Sequence, residues 1–438
     1  MRAVVTAPPR PDVPRAPLTV EETGLSVDLL QQLVLKTLHI TGEQSAAALC
    51  SRLGVVHSVL EPVLQHLKQS YLSEVWGGGT LGGPSYVYRV TSAGRDRATM
   101  ALEQSQYVGA APVPFAQYAA YMRAYARAAF TAVNRASVEE AFSHLVLSRR
   151  VLDQLGPAVN GGHSLFVYGP PGNGKTVISQ GIVRLLAGDV AVPHAIDFDG
   201  HLVQVFDPAV HVPRPVDDAD SIDRGAAAPD ARWLRCERPL VTVGGELTLQ
   251  SLELAYSAAS RLYQAPVQLL ANGGVLVIDD FGRQRCSVID LLNRWITPLE
   301  SRTDYLTLQS GQKMPVPFVV LVVFATNIQP SDLVDEAFLR RIHYKVFAEN
   351  PSADDFKRIF ERCCRDRDLA YDDAMVDQLI EGFFRRRGIA LRGCYPRDLI
   401  EHALAIADYL GTGRALSNER LLDACASYFL DEQSVGPA

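Results

Sequence analysis

The sequence predicts an α/β fold: a parallel sheet with helices on both faces, a four-helix C-terminal subdomain, and a small α+β module in front. Three observations predict it. Apolar runs at Ser164–Tyr168, Val275–Ile278 and Phe318–Phe324 alternate with helical patterns, as crossover-connected parallel strands do. The first run leads directly into a glycine-rich loop and then an apolar helix at Val177–Leu186. After Pro351 apolar residues recur at helical spacing over about 353–366, 373–386, 396–410 and 417–430, with Asp, Gly and Pro signals between them.

Composition narrows the class. The 438 residues are 47% hydrophobic and 21% charged, ordinary for a folded chain and incompatible with global disorder. Lys+Arg 42 against Asp+Glu 49 gives a net charge of −7, which argues against a dominant nucleic-acid or acidic-membrane footprint. No run reaches the ~18 uncharged apolar residues of a membrane span. The start, Met1-Arg2-Ala3-Val4-Val5-Thr6 followed by Pro8, Pro9 and Pro11, lacks the apolar stretch of a signal peptide, so a cytoplasmic protein is expected. The 7 cysteines are scattered without a CxxC pair, which disfavours a disulfide framework or a zinc site.

The domains follow in order. Residues 1–20, rich in proline, are expected to form a disordered tail. Residues 21–106 show three short helical patterns and then two strand patterns around a glycine cluster at Gly77–Gly83, the outline of a winged helix. This segment carries Lys36, Arg52, Lys68, Arg89, Arg95 and Arg97 against eight acidic residues, so docking to protein is favoured over contact with DNA. Residues 107–137, including the Tyr118–Ala132 stretch, are expected to be a linker helix. The α/β core is assigned to 138–350 and the helical subdomain to 351–432.

The chemistry-bearing motif is Gly169-Pro170-Pro171-Gly172-Asn173-Gly174-Lys175-Thr176, which fits GxxxxGK[ST] between a strand and a helix. Its glycines let backbone N–H groups wrap phosphates at the helix start, so the loop, with Val177 just behind it, predicts a P-loop NTPase that binds ATP. Lys175 is expected to reach the β- and γ-phosphates and Thr176 to coordinate Mg²⁺. The second apolar strand ends in Asp279-Asp280: one carboxylate to hold Mg²⁺ through water, the other to orient the attacking water. The third ends in Ala325-Thr326-Asn327, followed by Asp335–Ile342 and by Cys394-Tyr395-Pro396-Arg397-Asp398.

With these five motifs in this order, residues 138–430 resemble the AAA+ ATPases. The resemblance makes Gly169–Thr176 the Walker A loop, Asp279 and Asp280 Walker B, and Asn327 sensor 1. It makes Arg341, assisted by Arg340, the arginine finger acting on a neighbouring subunit, and Arg397 sensor 2 at the start of a lid helix. It implies an ATP hydrolase requiring Mg²⁺ and a homo-oligomer, six subunits being the family's usual ring. Leu306–Met314 reads as a hairpin with a Ser-Gly turn; with Asn272-Gly273-Gly274 it looks like the pre-sensor-1 hairpin clade that holds the MoxR-like chaperones. Two departures stand out: Asp280 replaces the family's usual Glu, and 103 positions separate Thr176 from Asp279. The surplus, about His194–Gly245, reads as a hairpin insertion with an acidic patch at Asp217, Asp218, Asp220 and Asp223. Tyr256 and Tyr263 are candidates for a pore loop.

Three functions fit these readings. The leading one is an ATPase that remodels or assembles protein partners. The alternatives are a DNA-acting motor or loader that uses the N-terminal module, and a slow nucleotide-gated switch suggested by Asp280.

Overall fold

The computed structural model describes residues 13–77, 83–127, 133–215, 228–333 and 339–429. The glycines at 78, 79 and 82, the acidic patch at 217–223, and Asp335–Phe338 lie outside these described residues. The chain forms two compact units. One comprises Met1–Thr131, Leu186–Leu276 and Arg285–Leu321; the other comprises Ala132–Leu185, Val277–Gln284 and Val322–Ala438.

An α/β P-loop NTPase fold carries the predicted motifs. Its strands Val275–Ile278, Leu321–Thr326, Leu165–Tyr168 and Tyr344–Phe347 lie side by side in that order. Leu165–Tyr168 pairs in parallel with Val323–Thr326 on one side and with Tyr344–Phe347 on the other. The first three of these strands, buried on both faces, are near-continuous Val, Leu, Ile and Phe, as parallel sheets require, while Tyr344–Phe347 at the sheet edge exposes Lys345. The third strand runs Leu321–Thr326. Of the earlier apolar residues, Phe318 extends the preceding hairpin, its N donating to Arg302 O, and Val319 bonds Asn272 Oδ1 and Gly273 N.

The lid expectation agrees with the structure. Helices Ala353–Arg365, Asp373–Leu379 (continued as a π-turn to Arg385), Tyr395–Tyr409 and Asn418–Tyr428 bury Phe356, Phe360, Phe384, Leu399 and Leu421 in one core. Arg385 pairs with Glu381, one turn away on the surface.

The other unit departs further from the sequence reading. Its N-terminal part packs Val27–Thr41, Ala46–Leu53 and His57–Gln69 with an antiparallel sheet of Gln44–Ser45, Val87–Val90 and Ser73–Gly77. The described part of the expected tail, residues 13–20, is held by main-chain bonds: Asp230 N donates to Pro14 O and Ala16 N to Ala228 O. The expected linker contains a core helix, Phe115–Ala126, because Tyr118, Tyr121, Met122 and Tyr125 present an apolar stripe that is fully buried. The insertion contains the expected hairpin, Ala195–Phe198 with His201–Gln204, but the hairpin is built into a five-stranded sheet with Val113–Pro114, Leu262–Gln264 and Ala255–Ser257. Tyr256 and Tyr263 are cross-strand partners with ring centroids 5.0 Å apart, packed in that core, so neither stands in a pore loop. The Thr303–Thr307 and Lys313–Pro317 strands form the predicted hairpin, turning at Gly311 with φ +83°. Among the described residues no single helix is long and apolar enough to cross a membrane.

A buried ion pair lies within the insertion, and its arginine reaches out to earlier parts of the chain. Arg232 and Asp230 are each 1% exposed, and the guanidinium also donates to Thr23 O and Gln117 Oε1. Asp230→Asn leaves the arginine's charge buried without its counter-ion, at a cost of about 3–5 kcal/mol. Thermal unfolding followed by circular dichroism is expected to show a lower Tm for this variant; an unchanged Tm would contradict a stabilising role.

Candidate functional site

Three sheet features converge because adjacent strands end side by side. Tyr168 leads into the glycine loop, Ile278 into Asp279 and Thr326 into Asn327. Phe281 N donates to Ala325 O at 2.7 Å, and Thr326 Oγ1 donates to Phe281 O at 2.8 Å, so the two polar strand ends are stitched together.

The loop geometry depends on its glycines. Gly169, Gly172 and Gly174 have φ of +141°, +84° and +71°. A Cβ on Gly169 would sit 2.5 Å from Ala348 O, and one on Gly172 would sit 2.6 Å from Cys394 Sγ. Pro170 and Pro171, with φ fixed by their rings, stiffen the turn between them. The helix Lys175–Gly181 starts directly from Gly174 without a side-chain cap, so its first N–H groups face the loop. Val177, 43% exposed, contributes only backbone there. Lys175 Nζ donates to Gly169 O and Pro170 O at 3.0 and 2.8 Å. Burial pulls its ammonium below the usual lysine range; Asp280 and Asp279 oppose that shift and Arg392 adds to it.

Thr176 Oγ1 donates to Asp279 Oδ2 at 2.7 Å, while Asp279 Oδ1 accepts from the Asp280 N–H at 3.0 Å. A hydroxyl and a carboxylate in contact are hard oxygen donors, the set that suits a Mg²⁺ ion retaining waters and shared with phosphate. Asn327 Nδ2 donates to Asp280 Oδ1 at 3.2 Å. Asp280 has φ +46°, a left-handed conformation that Asp tolerates far better than bulkier residues.

Asn173 and Cys394 belong to motifs that the sequence marks, but their contacts, which tie the segment before the lid helix to the loop, and the place of Arg392 were not read from it. Asn173, 9% exposed, donates from Nδ2 to Asn350 Oδ1 and Ala348 O, and its Oδ1 accepts from Gly393 N. Cys394 N donates to Gly172 O at 2.8 Å. These contacts lay Arg392 beside Gly172, within 3.5 Å of where its Cβ would be. The predicted Arg397 is turned elsewhere: its guanidinium donates to Asp398 Oδ1 at 3.0 and 2.8 Å, and its side chain is 60% exposed. The sequence signal for Arg392 was its place just before the lid helix. Arg340 is exposed and Arg341 half-buried, on the segment entering Tyr344–Phe347. A cleft beside the loop is lined by Val146, Leu147, Ile178, Pro351, Ile359 and Asn173, an apolar slot with polar edges at Ser148 and Asp355.

Two family models match parts of the chain: the magnesium chelatase subunit ChlI over residues 147–195, and a domain of unknown function, DUF8689, over residues 352–427. No curated protein matches it in sequence. Among solved structures it is similar to the Holliday junction branch migration motor RuvB of Thermotoga maritima, at 16% identity over 65% of this chain and 71% of that one, TM-score 0.38. It is also similar to Brucella abortus NtrX in complex with ADP, at 13% identity over 61% of this chain and 52% of that one, TM-score 0.37.

Gly172→Ala combines left-handed strain of about 1–2 kcal/mol with overlap on Cys394. It is expected to lower Tm by a few degrees, at about 2–4 °C per kcal/mol. Gly411→Ala, also left-handed but with nothing within 4 Å, is expected to lose less. Equal losses in the two melting curves would contradict the contact between the loop and Cys394.

Proposed function

We propose that the chain is an AAA+-type ATPase that hydrolyses ATP with Mg²⁺ and couples the cycle to remodelling or assembling a protein partner. The observation that carries this reading is the meeting of Thr176 with Asp279 and of Asn327 with Asp280, at the strand ends beside the glycine loop. Backbone N–H groups of Gly172–Thr176 wrap the phosphates, and Lys175 supplies a cation to the β- and γ-oxygens. Thr176 and Asp279 would hold Mg²⁺, which when bound would supply positive charge against the phosphates. Asp280 accepts the proton of the attacking water, with Asn327 orienting its carboxylate. The apolar slot beside Asn173 suits the nucleotide base. We assign the lid cation to Arg392, which lies beside the loop, in preference to Arg397.

The site is completed in a homo-oligomer by Arg341 of a neighbouring copy, with Arg340 assisting. A hexameric ring of the pre-sensor-1 hairpin type, soluble in the cytoplasm, follows from the family resemblance. We read the N-terminal module as a winged-helix adaptor for protein. Three of its six cations are committed: Lys36 is buried and donates to Ser105 O, Arg89 pairs with Glu74, and Arg97 pairs with Asp28. That leaves little for phosphate neutralisation. A slow switch remains the second reading, favoured by Asp280, whose side chain is one methylene shorter than Glu.

Asp280→Asn is expected to retain ATP·Mg²⁺ binding and lose hydrolysis, whereas Lys175→Ala is expected to lose binding; nucleotide titration with steady-state turnover measures both. Parent-rate turnover by Asp280→Asn would move the base elsewhere. Arg341→Ala is expected to lower kcat by up to about 10³-fold with little change in affinity. Mixing inactive Arg341→Ala and Lys175→Ala subunits is expected to restore activity, because some interfaces then pair an intact loop with an intact finger. Well-folded mixed assemblies without activity would sink the trans assignment.

A further inference from the structure

Asp280 stands where a longer glutamate would ordinarily reach the attacking water, and its backbone is left-handed at φ +46°. Beside Asp279 Oδ1, which accepts from Asp280 N, and Thr326 Oγ1, which donates to Phe281 O, a third side chain bonds that turn at three points. Gln284 Nε2 donates to Asp279 O at 2.9 Å and to Asp280 O at 3.2 Å, while its Oε1 accepts from Gly282 N at 2.8 Å. The half-buried amide therefore uses donor and acceptor ends on residues 279, 280 and 282 of one turn. A second bond closes it, Arg283 N to Asp280 O at 3.0 Å. The carbonyls of residues 279 and 280 fix the peptide planes on either side of the Asp280 Cα, and these set the direction in which its carboxylate leaves the backbone. Asn327 then fixes the rotation of that carboxylate by binding Oδ1.

We propose that Gln284 is a positioning residue for hydrolysis: it clamps the left-handed turn that aims the short Asp280 carboxylate, offsetting the missing methylene. This rests on the reading of Asp280 as the base. The clamp acts after binding, since Gln284 bonds only main-chain groups of the turn and no side-chain atom of Lys175, Thr176 or Asp279. Its loss therefore lowers kcat and spares affinity. A misplacement of about 1 Å at a catalytic group costs on the order of 10²-fold.

The test uses the full-length chain and two variants. Gln284→Met keeps the length of the stem and removes both hydrogen-bonding ends. Gln284→Glu keeps the acceptor for Gly282 N and loses the donor to the two carbonyls. Both are expected to lower kcat about 10- to 100-fold with unchanged affinity for ATP·Mg²⁺. In an Asp280→Asn background, Gln284→Met is expected to lower the residual rate no further, because the group it positions is already gone. Parent-like kcat in a folded variant overturns the inference, as does an equal further loss in the Asp280→Asn background. Failure of both variants to fold gives Gln284 a structural role only and overturns it too. A parent chain that binds ATP·Mg²⁺ without turnover overturns the hydrolase reading itself, and this inference with it.

Discussion

The Thr176–Asp279 hydrogen bond, 2.7 Å across 103 positions of sequence, is the contact on which the site depends. It exists because Leu165–Tyr168 and Val275–Ile278 flank Leu321–Thr326 in one sheet and deliver their following residues to one edge. The cost of bringing such distant residues together is met by apolar burial: Phe166, Phe281 and Phe324 pack in tilted and edge-to-face contacts with centroids 5.0–6.0 Å apart next to the polar edge. A substitution in that aromatic triad would thus act on the carboxylates without touching them.

The same edge is read by the lid segment. Asn173 bonds the segment around Ala348–Asn350 through its amide nitrogen and Gly393 through its oxygen. A ligand that reshapes the loop backbone therefore also pulls on the entry to the lid helix.

Legibility in the sequence followed contiguity. Gly169–Thr176, Asp279-Asp280 and Asn327 are local motifs at strand ends, so spacing and apolar runs located them, and the lid helices were readable from 3.6-residue periodicity. What escaped depends on contacts far apart in sequence or on local geometry without a compositional mark. Arg392 reaches the loop only because Gly393 and Cys394 dock on Asn173 and Gly172. Gln284 gains its role from a left-handed turn that nothing in the residue types announces. The stretch around Tyr118–Tyr125 read as a connector because its burial partners are distant in sequence: Ala191 and Trp233 lie 70 or more positions beyond Tyr121. Residues 13–20 read as tail because their pairing partner is the chain around Ala228–Asp230.

The central claim is that Thr176 and Asp279 together form the Mg²⁺ position of a nucleotide site. The most direct measurement is ATP affinity of the Thr176→Val variant, by calorimetric titration with Mg²⁺ and with a chelator. The account predicts that the parent binds ATP more tightly when Mg²⁺ is present, and that the variant loses this increment while matching the parent in chelator. A Thr176→Val protein that keeps the full Mg²⁺-dependent increment would contradict it.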